Sequence, residues 1–129
     1  MAKQFTLGRN ERLKSRKSIG ELFSEGKQII IPPYRVLYIL TKSSKESSLL
    51  FSAGVSATHF KKAVDRNRIK RLTREAWRLQ KNELKKSTGV ANIQMNVFFI
   101  YTGKKLPEYT EVFKRVGVVL SKLEKLLAG

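Results

Sequence analysis

Four strand-like runs and three helix-like runs, in the order αβββαβα, predict an α+β two-layer sandwich in which helices bank against a four-stranded sheet. Three observations predict it. Apolar residues recur at helical spacing near the N-terminus, in the middle of the chain and at its C-terminus. Between them lie runs rich in β-branched and aromatic residues. No Gly/Ser/Pro-rich linker and no internal repeat divides the 129 residues. They therefore form one domain over 1–129, with a basic N-terminal segment over 1–14 that can be flexible.

Ser18–Phe23 is a short helix with Ser15 or Ser18 as N-cap, an apolar face of Ile19, Leu22 and Phe23, and Gly26 as its stop. Lys27–Ile31 is a short β-branched strand ended by Pro32-Pro33. Tyr34–Thr41 is a second strand, and Lys42–Ser48 a polar loop. Leu49–Ser56 is a third strand, whose Gly54 suggests a bulge or a close backbone approach. A basic helix starts near Thr58 and extends to about Lys85, followed by a break over Lys85–Gly89. Gln94–Tyr101 is the fourth strand and Gly103–Pro107 a loop. Glu108–Leu127 is an amphipathic helix with Val112, Phe113, Val116, Val119, Leu120, Leu123 and Leu127 in its apolar stripe.

Charge narrows the partner. The formal net charge is +17, while 41% of residues are hydrophobic, which fits a folded domain rather than a polybasic tail. An anionic partner follows, and nucleic acid suits it best. No apolar run reaches the roughly 18 residues of a membrane span, no signal-peptide pattern occupies Met1–Thr6, and the cations are spread along the chain. No membrane partner is expected. The chain has no cysteine, which fits a reducing cytoplasm.

The basic helix carries the most information. Residues 61–78 hold eight Lys or Arg against two acidic residues, with no Gly or Pro. At about 100° per residue from Arg66, residues Lys70, Arg74 and Arg78 fall near 40°, 80° and 120°, Asn67 and Arg71 near 100° and 140°, and Lys81 near 60°. Leu79, Leu72, Asp65, Ala76, Ile69 and Thr73 occupy the opposite arc and should pack on the sheet. Arg68 and Trp77 lie on the borders. Exposed helices ordinarily mix signs at i, i+4, whereas here like charges stack, so the arc should face phosphates. Asn67 adds a donor and an acceptor suited to phosphate, sugar or base edges. No paired carboxylates are spaced for acid/base or two-metal chemistry, and His59 is the only histidine, better suited to a helix start or a phosphate contact. No catalytic residue and no metal ligand is assigned. A DNA-binding helix–turn–helix would need two helices joined by a short turn, but strands flank this helix; no DNA partner is expected.

The segment Arg66-Asn67-Arg68-Ile69-Lys70-Arg71-Leu72-Thr73-Arg74-Glu75-Ala76 closely resembles the arginine–asparagine–arginine signature of the protein component of bacterial ribonuclease P. Arg12 to Gly26 resembles that family's N-terminal basic segment and first helix. Val36-Leu37-Tyr38 resembles its strand with an aromatic facing a cleft, and Ala53-Gly54-Val55-Ser56 the strand leading to the signature helix. Lys62-Ala63-Val64 resembles the opening of that helix. The likeness spans roughly 7–102 with matching order, and the C-terminal helix fits by position. It implies the ribosomal protein S5 domain 2-like fold.

The resemblance also implies a division of labour. A catalytic ribonuclease P RNA, with Mg2+ held mainly by that RNA, removes the 5′ leader of precursor tRNA, and the protein docks on the RNA and contacts the single-stranded leader. RNA-subunit contacts are then expected at Arg66, Asn67, Arg68, Lys70, Arg71, Arg74 and Arg78. The N-terminal basic contacts are expected among Arg9, Arg12, Lys14, Arg16 and Lys17, with Arg12 and Lys14 best matched. A leader cleft is expected between the first helix, the sheet and the basic helix, lined by Ile19, Phe23, Tyr38 and Lys62. The family usually has an aromatic residue where this chain has Ile19. Trp77, Phe98 and Phe99 are expected in the core or at its edge. The alternatives are a ribosomal or other structured-RNA-binding protein without a nuclease role, and a stand-alone nuclease.

Overall fold

In the computed structural model, residues 11–42, 47–56 and 58–128 are described. Ser15, rather than Ser18, caps the first helix: its hydroxyl accepts from the Ser18 N–H at 3.3 Å, and α1 runs Arg16–Glu25. Gly26 ends it with φ −68°, so crowding explains the glycine better than left-handed backbone: a Cβ there would meet the Leu22 carbonyl. The strands follow closely the expected bounds, as β1 (Lys27–Ile31), β2 (Tyr34–Lys42), β3 (Ser48–Val55) and β4 (Ile93–Tyr101). They form one sheet in the order β1-β2-β4-β3. β1 and β4 run antiparallel to β2, and β3 runs parallel to β4.

Strand alternation sorts the side chains into two apolar clusters. Tyr34, Val36 and Tyr38 of β2, Phe51 of β3, and Met95, Val97, Phe99 and Tyr101 of β4 enter the larger one. Leu37 of β2, with Ile39, Leu50, Phe98 and Ile100 around it, belongs to the smaller one under α1, where Leu13 and Leu22 are buried. The helices are therefore not all in one layer. α1 lies over one face, and α2 (Ala63–Gln80), α3 (Asn82–Ala91) and α4 (Tyr109–Ala128) cover the other. The α+β sandwich on a four-stranded sheet stands, with α1 as a cover on its second face.

Three sequence expectations change. The basic helix begins at Ala63 instead of Thr58, because the preceding turn buries Phe60 against Tyr101, ring centroids 6.0 Å apart. The break over Lys85–Gly89 is helix: α3 runs through it, with Leu84 and Thr88 buried. The Thr88 hydroxyl bonds the Lys85 carbonyl at 2.7 Å, and tertiary packing outweighs the poor propensity of Gly89. The interruption falls instead at Lys81, and α3 ends at Asn92 in the left-handed region, φ 53°, which asparagine tolerates. In α4, Phe113 is exposed although its neighbours Val112 and Val116 are buried. Gly54 does mark a close approach, since a Cβ there would lie 2.9 Å from the Phe98 ring.

One buried polar contact ties the sheet to the basic helix. Thr73 donates its hydroxyl to the Ile69 carbonyl at 2.9 Å, so its single proton is committed and the Tyr34 hydroxyl donates to it at 2.7 Å. Burial pushes the Tyr34 phenol up to about 12. The folded protein thus holds a proton that the unfolded chain releases near pH 10. Stability contributed by this group is present below about pH 10 and lost as pH rises towards 12. Denaturation midpoints across that window should fall in the wild type, and less steeply in Tyr34→Phe; equal slopes would contradict the assignment.

Candidate nucleic-acid interface

Trp77 sets the rotation of α2. It is fully buried, stacked on Phe51 with centroids 4.7 Å apart and edge-on to Phe99 at 5.6 Å. Ile69, Thr73 and Ala76 are buried beside it, whereas Leu79 is exposed. The helix is turned by roughly 40° from the sequence expectation, since the buried side now centres on the Ile69–Thr73–Trp77 line. Trp77 moves from the border into the core. Arg68 moves from the border to the exposed side.

The outward arc now holds Asn67, Arg68, Arg71 and Arg74 exposed, with Lys70 half-buried. Val64, Asn67, Arg68, Lys70, Arg71 and Arg74 line a shallow groove along this face. Side chains at i, i+3 and i+4 are neighbours on a helix, so the arginine forks lie side by side along it. Such forks match phosphate oxygens in pairs.

Three cations assigned to this arc are engaged inside the protein. The Arg66 guanidinium donates to the carbonyls of Phe60 at 2.7 Å and Lys61 at 2.8 Å, fastening the turn that precedes α2. Arg78 forms an ion pair with Glu75, Nε to Oε2 at 3.2 Å and Nη2 to Oε1. The Arg78 hydrogen bond holds the Glu75 carboxyl below its ordinary range, and the same bond raises the guanidinium. Lys81 is buried and donates to Glu11 at 2.6 Å, so it does not face phosphate. The wheel could not show the partners of Arg66 and Lys81, which come from outside α2, whereas Glu75 lies one turn from Arg78 on the helix itself.

The N-terminal basic residues join the same surface. Leu13 is buried and its N–H donates to the Phe51 carbonyl at 2.8 Å, along the open edge of β3. Residues 12 and 13 thus pair with Phe51 of β3; 1–10, with Arg9, lie outside the described residues. Arg12 and Lys14 are exposed and, with Leu13, Phe51, Ser52, Ala53 and Arg74, line a cleft of about 170 Å³. Arg74 borders both cleft and groove, which makes them one cationic surface. Arg16 and Lys17 are exposed at the start of α1.

The aromatic expectations divide between the two faces of the sheet. Phe23 is 55% exposed and meets Phe98 edge-on, centroids 5.5 Å apart, with Ile19 packed in the same cluster. Tyr38 does not join them. It is buried in the larger cluster on the opposite face and borders a groove with Lys27, Leu40 and Leu126. Lys62 is exposed at the N-cap of α2, and His59 is exposed in the turn before it. Phe98, expected in the core or at its edge, packs half-buried at the edge of the smaller cluster and is the ring that Phe23 meets. Its position was readable: consecutive Phe98 and Phe99 on one strand must face opposite ways.

Among the described residues, no group of three or more His, Asp or Glu side chains gathers to hold a metal ion, and no helix is long and apolar enough to cross a membrane. The donor set around the groove is cationic and does not fit Mg2+.

Comparison with known proteins identifies the family. Residues 7–124 match the family model described as Ribonuclease P. The ribonuclease P protein component of Porphyromonas gingivalis is 35% identical over 108 residues, 84% of this chain and 79% of the relative. That of Syntrophus aciditrophicus is 30% identical over 122 residues, 93% of this chain and 92% of the relative. The structure of the Staphylococcus aureus protein superposes with TM-score 0.65 at 19% identity, covering 87% and 94% of the two chains, and so supports the fold. The Thermotoga maritima protein superposes with TM-score 0.53 at 28% identity, covering 91% and 94%. On this evidence the chain belongs to the ribonuclease P protein component family, the protein subunits of a ribonucleoprotein endoribonuclease.

Proposed function

We propose that this protein binds the catalytic RNA of ribonuclease P through the exposed arc of α2 and the Arg12–Lys14 segment, and holds the single-stranded 5′ leader of precursor tRNA on the α1 face of the sheet. The observation that carries this reading is the continuous cationic surface joined at Arg74. RNA-subunit contacts fall to Asn67, Arg68, Lys70, Arg71 and Arg74, with Arg12 and Lys14, while Arg66 and Arg78 contribute less because each is already engaged within the protein. The leader-facing residues are Phe23, Phe98 and Ile19, with exposed Lys62 at the N-cap of α2 as a further phosphate contact. Hydrolysis falls to the RNA and its Mg2+, in the cytoplasm. A structured-RNA-binding protein without a nuclease role is not favoured, because the likeness to ribonuclease P components runs along most of the chain.

An unpaired base stacked on an aromatic side chain contributes about 1–3 kcal/mol. Phe23→Ala should therefore weaken binding of leader-bearing precursor tRNA to the holoenzyme by about tenfold and leave affinity for leaderless tRNA unchanged. Stability should change little, given the exposure of Phe23. An equal loss for both RNAs would remove Phe23 from the leader site.

A further inference from the structure

We propose that Glu11 is a positioning residue for RNA binding: its ion pairs to the α2–α3 junction hold the N-terminal strap so that Arg12 and Lys14 face Arg74 across one cleft. The inference rests on the RNA-binding role proposed above for that surface. Glu11 is an acidic residue in a strongly basic segment, and by charge alone it would oppose binding of a polyanion. Its carboxylate is directed inward. One oxygen accepts from Lys81 at 2.6 Å, the other from Lys85 at 2.9 Å. The Lys81 side chain is only 1% exposed and that of Glu11 14%, so the pair is largely shielded from water.

The location explains the consequence. Lys81 ends α2 and begins α3, so Glu11 reaches the point where the helix carrying the arginines stops. Next along the strap come Arg12, exposed, and Leu13, buried and bonded to Phe51. Glu11 on one side and Leu13 on the other leave Arg12 little freedom, and Lys14 follows in register. With the strap fixed, Arg12, Lys14 and Arg74 line one cleft without an ordering cost at each binding event.

The test measures affinity of the folded protein for ribonuclease P RNA over a salt series. Glu11→Gln makes the protein more positive, so a general electrostatic effect would tighten binding. The positioning role predicts the opposite: affinity about tenfold weaker, with the salt slope reduced by about 1.5, as two phosphate contacts are lost. Glu11→Gln leaves Lys81 buried without its carboxylate and can unfold the chain. The double variant Glu11→Gln/Lys81→Met removes both charges, and circular dichroism verifies its fold. It should show the same weakening. Combining it with Arg12→Ala/Lys14→Ala should add little further loss, since both act on the same contacts. Unchanged or tighter binding by the double variant, or fully additive losses, would overturn the positioning role while leaving the surface intact. If Arg12→Ala/Lys14→Ala alone changes neither affinity nor slope, the strap is no part of the RNA interface and both readings of it fail.

Discussion

Replacing Arg68, Arg71 and Arg74 together by alanine is expected to lower affinity for ribonuclease P RNA at least a hundredfold at moderate salt. All three guanidinium groups are exposed on one face. Charge-assisted hydrogen bonds contribute about 1.5–3 kcal/mol each, and a tenfold change corresponds to about 1.4 kcal/mol. Each neutralised phosphate adds roughly 0.7–0.9 to the slope of log affinity against log salt. The triple variant should therefore lose about 2 to 3 units of slope. Its stability should hold or improve, because like charges three and four residues apart repel in the free protein. Arg78→Ala should cost less than Arg71→Ala, since Glu75 already engages the Arg78 guanidinium. An affinity loss without a change of slope would show that these arginines act on the fold and not on phosphate.

Trp77→Ala is expected to cost about 3–5 kcal/mol of folding stability, a large share of the roughly 5–15 kcal/mol that a domain possesses. The indole is fully buried and contacts Phe51 and Phe99, so its loss leaves a cavity between α2 and the sheet. Urea denaturation should show the lower midpoint, and RNA present in excess should recover part of it, because only the folded state carries the arc. A loss under about 1 kcal/mol would mean that other contacts fix the rotation of α2.

These two variants mark where the sequence was informative and where it was not. Strand bounds were legible because β-branched and aromatic runs end at Pro, Gly or polar clusters, as at Pro32-Pro33 and Gly103. The cationic arc was legible because helical periodicity is local. Its rotation was not, since a wheel weights Leu79 and Trp77 alike, and only tertiary packing buries one and exposes the other. The helical state of residues 85–89 was hidden by Gly89, Ser87 and Thr88, whose propensities are poor until Leu84 and Thr88 are packed. Tyr38 lies in the larger cluster and not beside Phe23, because resemblance gives an aromatic at a position, while strand register decides which way it points. Glu11 carried no local signal: its partners are 70 and 74 residues away.

The proposed role predicts a direct functional result. A bacterial ribonuclease P RNA is assayed for 5′ cleavage of precursor tRNA at low Mg2+, with and without this protein. The protein should stimulate cleavage strongly, the Arg68/Arg71/Arg74 variant should do so weakly, and the protein without the RNA should cleave nothing. Absence of stimulation by the wild-type protein, or cleavage by the protein alone, would contradict the assignment of the α2 surface to the catalytic RNA.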